Sequence, residues 1–517
     1  MSLTLKTPGV YIEEKNAFSN SVVAVATAIP AFVGYTERAM FKGKSLLNKP
    51  IRIDSLLEFE NFFGGGAHTV YDLAEIADPE AEDAPETDLI LLDKHLSATP
   101  QPGTLFYMYE SIKLFYQNGG ATCYVVAVGT YSNGTVKPDF STDPFLGGLR
   151  LLEKEVEPTM VVIPDALLFT DGDGANCYAL QQQILNHCGT LKSRVAILDV
   201  FNGQKGLDDP TYNPIDKFRD AVSSDFLSYG SAYYPWLKTT VVQATELTYK
   251  NLSEDSIALV QELLKESISD LKEKDIEMMT PYINALGGEY EEGSAIPTEA
   301  DALNYILNNT FSAYKSIMLA LLEKKNLLPP SGAVAGIFTR VDNQHGVWKA
   351  PANVAVNSVI APAVHIDHNQ QQDLNAPILG KAVCAIRPFI GLGTMVWGAR
   401  TLDANSLDWR YINVRRTIIM IEQSVKFAAN AYVFEPNVKN TWVAIHSMIS
   451  SFLTNLWKQG GLAGGSPEDA YEVSVGLGST MSPQDILEGV MRISVKVALS
   501  RPAEFIVITF QQQMQKS

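Results

Sequence analysis

The chain has 517 residues, 46% of them hydrophobic and 19% charged, with a formal net charge of −18. That length is too great for one ordinary core, so two to four domains are expected, and no window holds the run of about 18 apolar residues that a membrane span needs. Residues 331–517 carry 15 Lys and Arg against 13 Asp and Glu, whereas residues 1–330 carry 25 against 45; such an acidic field disfavours nucleic acid, whose binding runs on cations neutralising phosphates.

Residues 1–21 are short, polar and extended in character, with Val10, Tyr11 and Ile12 set between a Pro-Gly pair and a Glu pair. They hold too little apolar surface to fold alone and form either a frayed terminus or an arm laid against another subunit's sheet edge. The opening MSLTLKTPGVYIEE has no basic region followed by an apolar core, so no secretory signal is expected. VVAVATAIPAFVGY at 22–35 reads as a strand that Pro30 interrupts or ends. A helix follows within 53–63, closed by three glycines at 64–66. Nine acidic residues and no basic one lie between Asp72 and Asp93, a composition that reads as a solvated, partly mobile insertion. Residues 105–117 read as a helix and TCYVVAV at 122–128 as a buried strand.

The same grammar repeats from Thr159. TMVVIPDA at 159–166, RVAILDV at 194–200 and SAYYPWL at 231–237 read as strands, with helices over 175–191 and around 216–224 between them. Apolar strands separated by helices predict a layered α/β body with a mostly parallel sheet covered on both faces. Asp165 and Asp199 stand at strand ends, where open sheets bind ligands. With Asp171 they are what a hydrolase or transferase would use. Asp165 and Asp199 read more simply as helix-capping or turn residues after a strand. DGDG at 171–174 lacks the remaining ligands of a calcium loop, and no Gly-rich phosphate-binding fingerprint occurs. Helical stripes over 251–279 and 300–325, separated by a loop at 290–298, make 238–330 either a helical lobe or the closing helices of the α/β domain.

The composition shifts at Ser331. The segment after it includes the turn-rich DNQHG at 342–346. His365, Asp367 and His368 offer two imidazoles and a carboxylate, fewer converging ligands than a zinc site wants, and read as a polar loop. No metal or cofactor is expected. Arg410, Arg415 and Arg416 crowd beside Trp409, Ile412 and Val414, so carboxylates or carbonyls must receive their guanidinium forks. Asp403, Asp408, Glu422 and Glu435 are the nearby carboxylates, and nothing there resembles a nucleophile with its base. This block reads as a packing and docking core. Helices over 417–432 and 440–459 and strands over 471–477 and 490–497 follow. EFIVITFQ at 504–511 is a last strand, either an edge or an addition to a neighbour's sheet. Cys123, Cys177, Cys188 and Cys384 have no metal-ligand spacing and read as small buried apolar groups.

GIFTRVDNQHGVWKAPAN at 336–353, WGARTLD at 397–403, WRYINVRRTI at 409–418, FEPN at 434–437 and PAEFIVI at 502–508 resemble the contractile tail sheath family, which forms the outer sleeve of contractile phage tails and injection systems. TPGVYIEE at 7–14, GYTERA at 34–39 and YYPWL at 233–237 extend the resemblance. It implies a structural subunit without catalytic residues, in a multidomain α/β architecture of mixed sheets flanked by helices. Hexameric rings would stack helically around an inner tube and contract to drive it through a target envelope.

In such a subunit the arm at 1–21 and a carboxy-terminal strand complete neighbouring sheets, which assigns Val10, Tyr11, Ile12, Phe505, Ile506, Val507 and Ile508 to that role. Residues 22–130 would begin the core domain, 131–330 form an outward α/β domain, and 331–517 face the tube. The implied partners are further copies of the chain, an inner tube protein, baseplate and terminal cap proteins and sheath paralogues. Neither nucleic acid nor direct membrane insertion is implied. The particle would be a phage tail or a headless injection device assembled in the bacterial cytoplasm. A static shell protein with a single lattice is the alternative, and an enzyme built on the strand-end aspartates a more distant one.

Overall fold

The computed structural model describes residues 22–81, 84–131, 144–169, 172–208, 212–288, 296–378 and 380–507. The chain forms two compact units. The larger comprises Ala26–Arg416 and the chain from Pro502 onward; the smaller comprises Thr417–Arg501 and the chain up to Val25.

In the larger unit nine strands make the principal sheet: β1 (Pro30–Thr36), β2 (Pro50–Ile53), β3 (Cys123–Thr130), β4 (Met160–Val162), β5 (Val195–Asp199), β6 (Gly230–Tyr234), β7 (Val354–Ala355), β8 (Val383–Phe389) and β9 (Gly393–Val396). Their order is β7-β9-β8-β6-β5-β4-β1-β3-β2. The six strands from β8 to β3 run parallel, and antiparallel strands close both sides. Every residue of β1, β5 and β6 is buried, as a sheet covered on both faces requires. Two of the covering helices, α1 (Met108–Gln117) and α2 (Ser331–His345), lie against each other. Gly332 and Gly336 set their approach, since a Cβ at either would fall within 2.5 Å of the main-chain oxygen of Ser111 or Phe115.

Three expectations change here. The strand read over 22–35 is only Pro30–Thr36, so Pro30 opens it; its missing N–H is tolerated at a first strand position. The acidic stretch is not a solvated insertion throughout. Tyr71–Glu75 and Leu89–Leu91 flank Lys94–Pro100 in an antiparallel sheet. Tyr71 and Leu73 are buried while Asp72 and Glu75 are exposed: Asp72 lies on the opposite face of the period-two pattern and Glu75 at the strand's exposed end. DNQHG belongs to the end of α2, where Gly346 at φ 92° stops the helix, a conformation that favours glycine.

Tyr71, Leu73, Leu96 and Ala98 share a second core with the helices Glu254–Ser267, Glu273–Leu286, Ala300–Thr310 and Ser312–Lys325. The two long helical stripes are thus each divided, at Ile268–Lys272 and at Phe311. Lys325 ties this lobe to α1 through a buried contact of 3.0 Å with Glu110.

The smaller unit contains most of the helix Ile412–Ala429, the helix Lys439–Lys458 and the antiparallel hairpin β10 (Tyr471–Val475) and β11 (Ile493–Val497). Ile445, Ile449, Leu453 and Leu456 lie buried on one face of the second helix, which packs on β10. Among the described residues no strand pairs with 504–507, which form none within the single chain, and 508–511 lie outside the described residues. Among the described residues, no helix is long and apolar enough to cross a membrane.

Candidate assembly site

The WGARTLD segment is sewn into the principal sheet. Trp397 donates its N–H to Ala385 at 2.8 Å and Leu402 donates to Gly230 at 2.9 Å. Gly398 permits this approach, since a Cβ there would fall 2.9 Å from the Cα of Cys384. Arg400 then forms an antiparallel bridge with Tyr411.

This path aims the Arg400 side chain at Glu504. Nε donates to Oε1 at 3.0 Å and Nη2 to Oε2 at 2.6 Å, while Nη1 meets the Asn375 carbonyl at 2.9 Å. Asn375 Nδ2 donates to Oε1 at 2.7 Å and the Tyr411 hydroxyl to Oε2 at 3.0 Å. Burial pushes the Glu504 carboxyl up, but the donors Arg400 and Asn375 and the Arg400 charge outweigh it and hold the group below its ordinary value. A groove of about 710 Å³ adjoins the clamp, lined in part by Gln371, Arg387, Trp397 and Phe505. Beyond Glu504 the chain is bare: Phe505, Ile506 and Val507 are 74%, 79% and 89% exposed. Ile508, like Val10, Tyr11 and Ile12, lies outside the described residues.

The three clustered arginines have three different surroundings. Arg416 is buried and donates from both Nη atoms to Asp342, with Nη2 also reaching the Thr27 carbonyl at 2.9 Å. Arg415 stacks on Trp409 at 3.7 Å and Tyr229 at 4.3 Å from the ring centroids, and donates to Ser228 Oγ at 2.8 Å. Arg410 is half-buried and donates Nε to the Ser406 carbonyl at 3.4 Å. Asp342 stood outside the nearby carboxylates, and the turn-like DNQHG gave no signal that it belongs to a helix facing Arg416.

The strand-end aspartates are structural. Asp165 accepts main-chain N–H groups from Tyr35 at 2.7 Å, Tyr107 at 2.8 Å and Met108 at 3.2 Å, holding the start of α1. Asp199 accepts the Ser331 N–H at 2.8 Å and does the same for α2. Burial pushes both carboxyls up to about 7. Asp171 lies outside the described residues. Asp367 caps the helix His368–Asn375, exchanging hydrogen bonds with Gln370. Among the described residues no group of three or more His, Cys, Asp or Glu is placed to hold a metal ion. All four cysteines are buried and none forms a disulfide.

In the smaller unit β10 and β11 pair only with each other among the described strands, leaving main-chain groups along both outer edges. The FEPN turn is braced by Asn437, which donates to the Val490 carbonyl at 3.1 Å and accepts from Trp442 Nε1 at 2.6 Å. Phe434, at φ 72°, stands fully exposed on it.

A family model described as the phage tail sheath C-terminal domain matches residues 404–513. The tail sheath protein of Vibrio phage KVP40 is 27% identical over 199 residues, 36% of this chain. That match spans 27% of the phage protein's length. Among solved structures, a chain of the anti-feeding prophage baseplate, 6-fold symmetrised, is 26% identical with a TM-score of 0.58, over 99% of this chain and 100% of that one. A chain of the anti-feeding prophage helical sheath in its contracted state is 25% identical with a TM-score of 0.59, over 98% and 100% respectively.

Proposed function

We propose that this chain, which belongs to the tail sheath family, is the structural subunit of a contractile sheath in a phage tail or a contractile injection particle. The family is a structural one and not an enzyme family, and the capping roles of Asp165 and Asp199 agree with that. The observation that carries the reading is the chain-long likeness to the anti-feeding prophage helical sheath.

Copies of the chain stack as hexameric rings around an inner tube, meet a baseplate at one end and a cap at the other, and contract to drive the tube through an envelope. The inner tube and cap proteins, any sheath paralogues and assembly in the bacterial cytoplasm belong to this proposal, as does the division of the chain into an arm, a core, an outward domain and a tube-facing domain. The open edges of β10 and β11 support strand addition by Val10–Ile12 of one neighbour and Phe505–Ile508 of another. Contraction then proceeds by nearly rigid movement of subunits between two packings, with the work stored during assembly and no nucleotide consumed.

A static shell would share the self-association but have one lattice. Electron microscopy of the expressed protein, alone and with a tube protein, tests the choice. Hollow six-fold cylinders in two ring geometries are expected. A single geometry would favour the shell, and a monomer under both conditions would remove the proposal.

A further inference from the structure

We propose that the Arg400–Glu504 clamp is the mechanical anchor of the C-terminal tail, fixing the point at which the tail leaves the larger unit so that tension enters the nine-stranded sheet there. The inference rests on the sheath reading, in which the tail pulls on a neighbouring copy.

The chain leaves the larger unit after Arg416, builds the smaller one and returns at Pro502. Pro502–Val507 belong to no helix or strand, so side-chain contacts must hold this segment. They converge on one carboxylate: Glu504 accepts four hydrogen bonds from Arg400, Asn375 and Tyr411. Two of these form a charge-assisted bidentate pair, the strong and directional kind. The donors are rooted in the sheet. Leu402, two residues from Arg400, bonds to β6, Trp397 bonds to β8, and Tyr411 is bridged to Arg400 itself. Phe505, Ile506 and Val507 project immediately beyond the clamp. A pull on them therefore meets Arg400 before it can travel back through Arg501 to β11, one strand of a hairpin that could be peeled from its end.

The test uses the full chain with Glu504→Gln, which keeps the size and removes the charge, and Tyr411→Phe, which removes one donor and leaves the ion pair. In the unassembled subunit, backbone NMR order parameters at 503–507 are expected to fall below about 0.6 in Glu504→Gln and less far in Tyr411→Phe, with the thermal midpoint nearly unchanged. In cylinders, both variants are expected to break into short ring stacks at lower urea than the parent. Equal order parameters in parent and variants would overturn the anchor. So would parent and variant cylinders of equal length and equal resistance, with the sheath reading left standing. A parent chain that forms no cylinders would overturn the sheath reading, and the anchor's mechanical role with it.

Discussion

Arg416 grips Asp342 at two points, Nη1 to Oδ1 at 3.0 Å and Nη2 to Oδ2 at 2.6 Å, with each side chain only 3% exposed. Thr27 completes the arrangement, donating its hydroxyl to Oδ2 at 2.6 Å. Three distant stretches of the larger unit thus share one desolvated charge pair. Such a pair is weak evidence for net stability, but breaking it strands a buried charge.

Arg416→Ala should therefore cost about 3–5 kcal/mol. Urea denaturation of the unassembled subunit measures this. Arg415→Ala should cost less, about 2 kcal/mol, from the lost stacking on Trp409 and Tyr229. Replacing Arg416 and Asp342 together with apolar residues should recover much of the loss. A denaturation midpoint for Arg416→Ala equal to that of the parent would refute the pair's role.

Asp199 predicts a pH dependence. Burial raises its folded value from 3.8 to about 7, against the opposing hydrogen bond from Ser331. The folded chain therefore holds a proton that the unfolded chain releases between those values. This contribution to stability is complete below 3.8 and is lost as the pH rises through about 7. Relative to the parent, Asp199→Asn should show a shallower fall in stability across that window. Parallel curves for the two proteins would contradict the assignment.

Gly398→Ala should destabilise the larger unit by about 1–3 kcal/mol, the usual effect of forcing atoms into a filled space. The obstacle is main chain, the Cα of Cys384, which cannot swing aside as a flexible side chain would. A thermal scan would show the loss, and an unchanged midpoint would mean that the WGARTLD segment shifts freely.

Deleting residues 504–517 should leave a folded subunit that forms no long cylinders, as electron microscopy would reveal; cylinders of normal length would rule out the tail as the link. Acid should act on the same point. Hydrogen bonds hold the folded Glu504 carboxyl below 4.5 despite its burial, so the clamp's contribution is present above 4.5 and is lost as the pH falls through the lower folded value. Backbone order parameters at 503–507 should fall over that acid range in the parent and much less in Glu504→Gln.

The parallel sheet was legible because β1, β3, β5 and β6 are continuous apolar runs, and the helix over 175–191 was read with its observed ends. Charge hid the strand at Tyr71–Glu75: its two acids belong to a run of nine, yet Tyr71 and Leu73 share one buried face. Polar letters likewise disguised the end of α2, whose Asp342 faces inward. The clamp and the Arg416–Asp342 pair escaped for a different reason. Arg400 and Glu504 stand 104 residues apart and Arg416 and Asp342 74, and no periodicity couples positions that only the folded chain brings together. The motifs containing these residues could be quoted, but their pairing could not be deduced.

The smaller unit also unites distant parts of the chain: the Val25 N–H donates to Ser424 Oγ at 3.0 Å across 399 residues of sequence. At a synthesis rate of about 5–20 residues per second, roughly 20–80 s pass between the emergence of these two residues from a ribosome. During that interval Val25 has no native partner, and the hairpin beyond Ser424 does not yet exist. On the proposed strand exchange, a half-made subunit could not offer the open edges of β10 and β11 to its neighbours, so polymerisation would be deferred until nearly the whole chain had been translated.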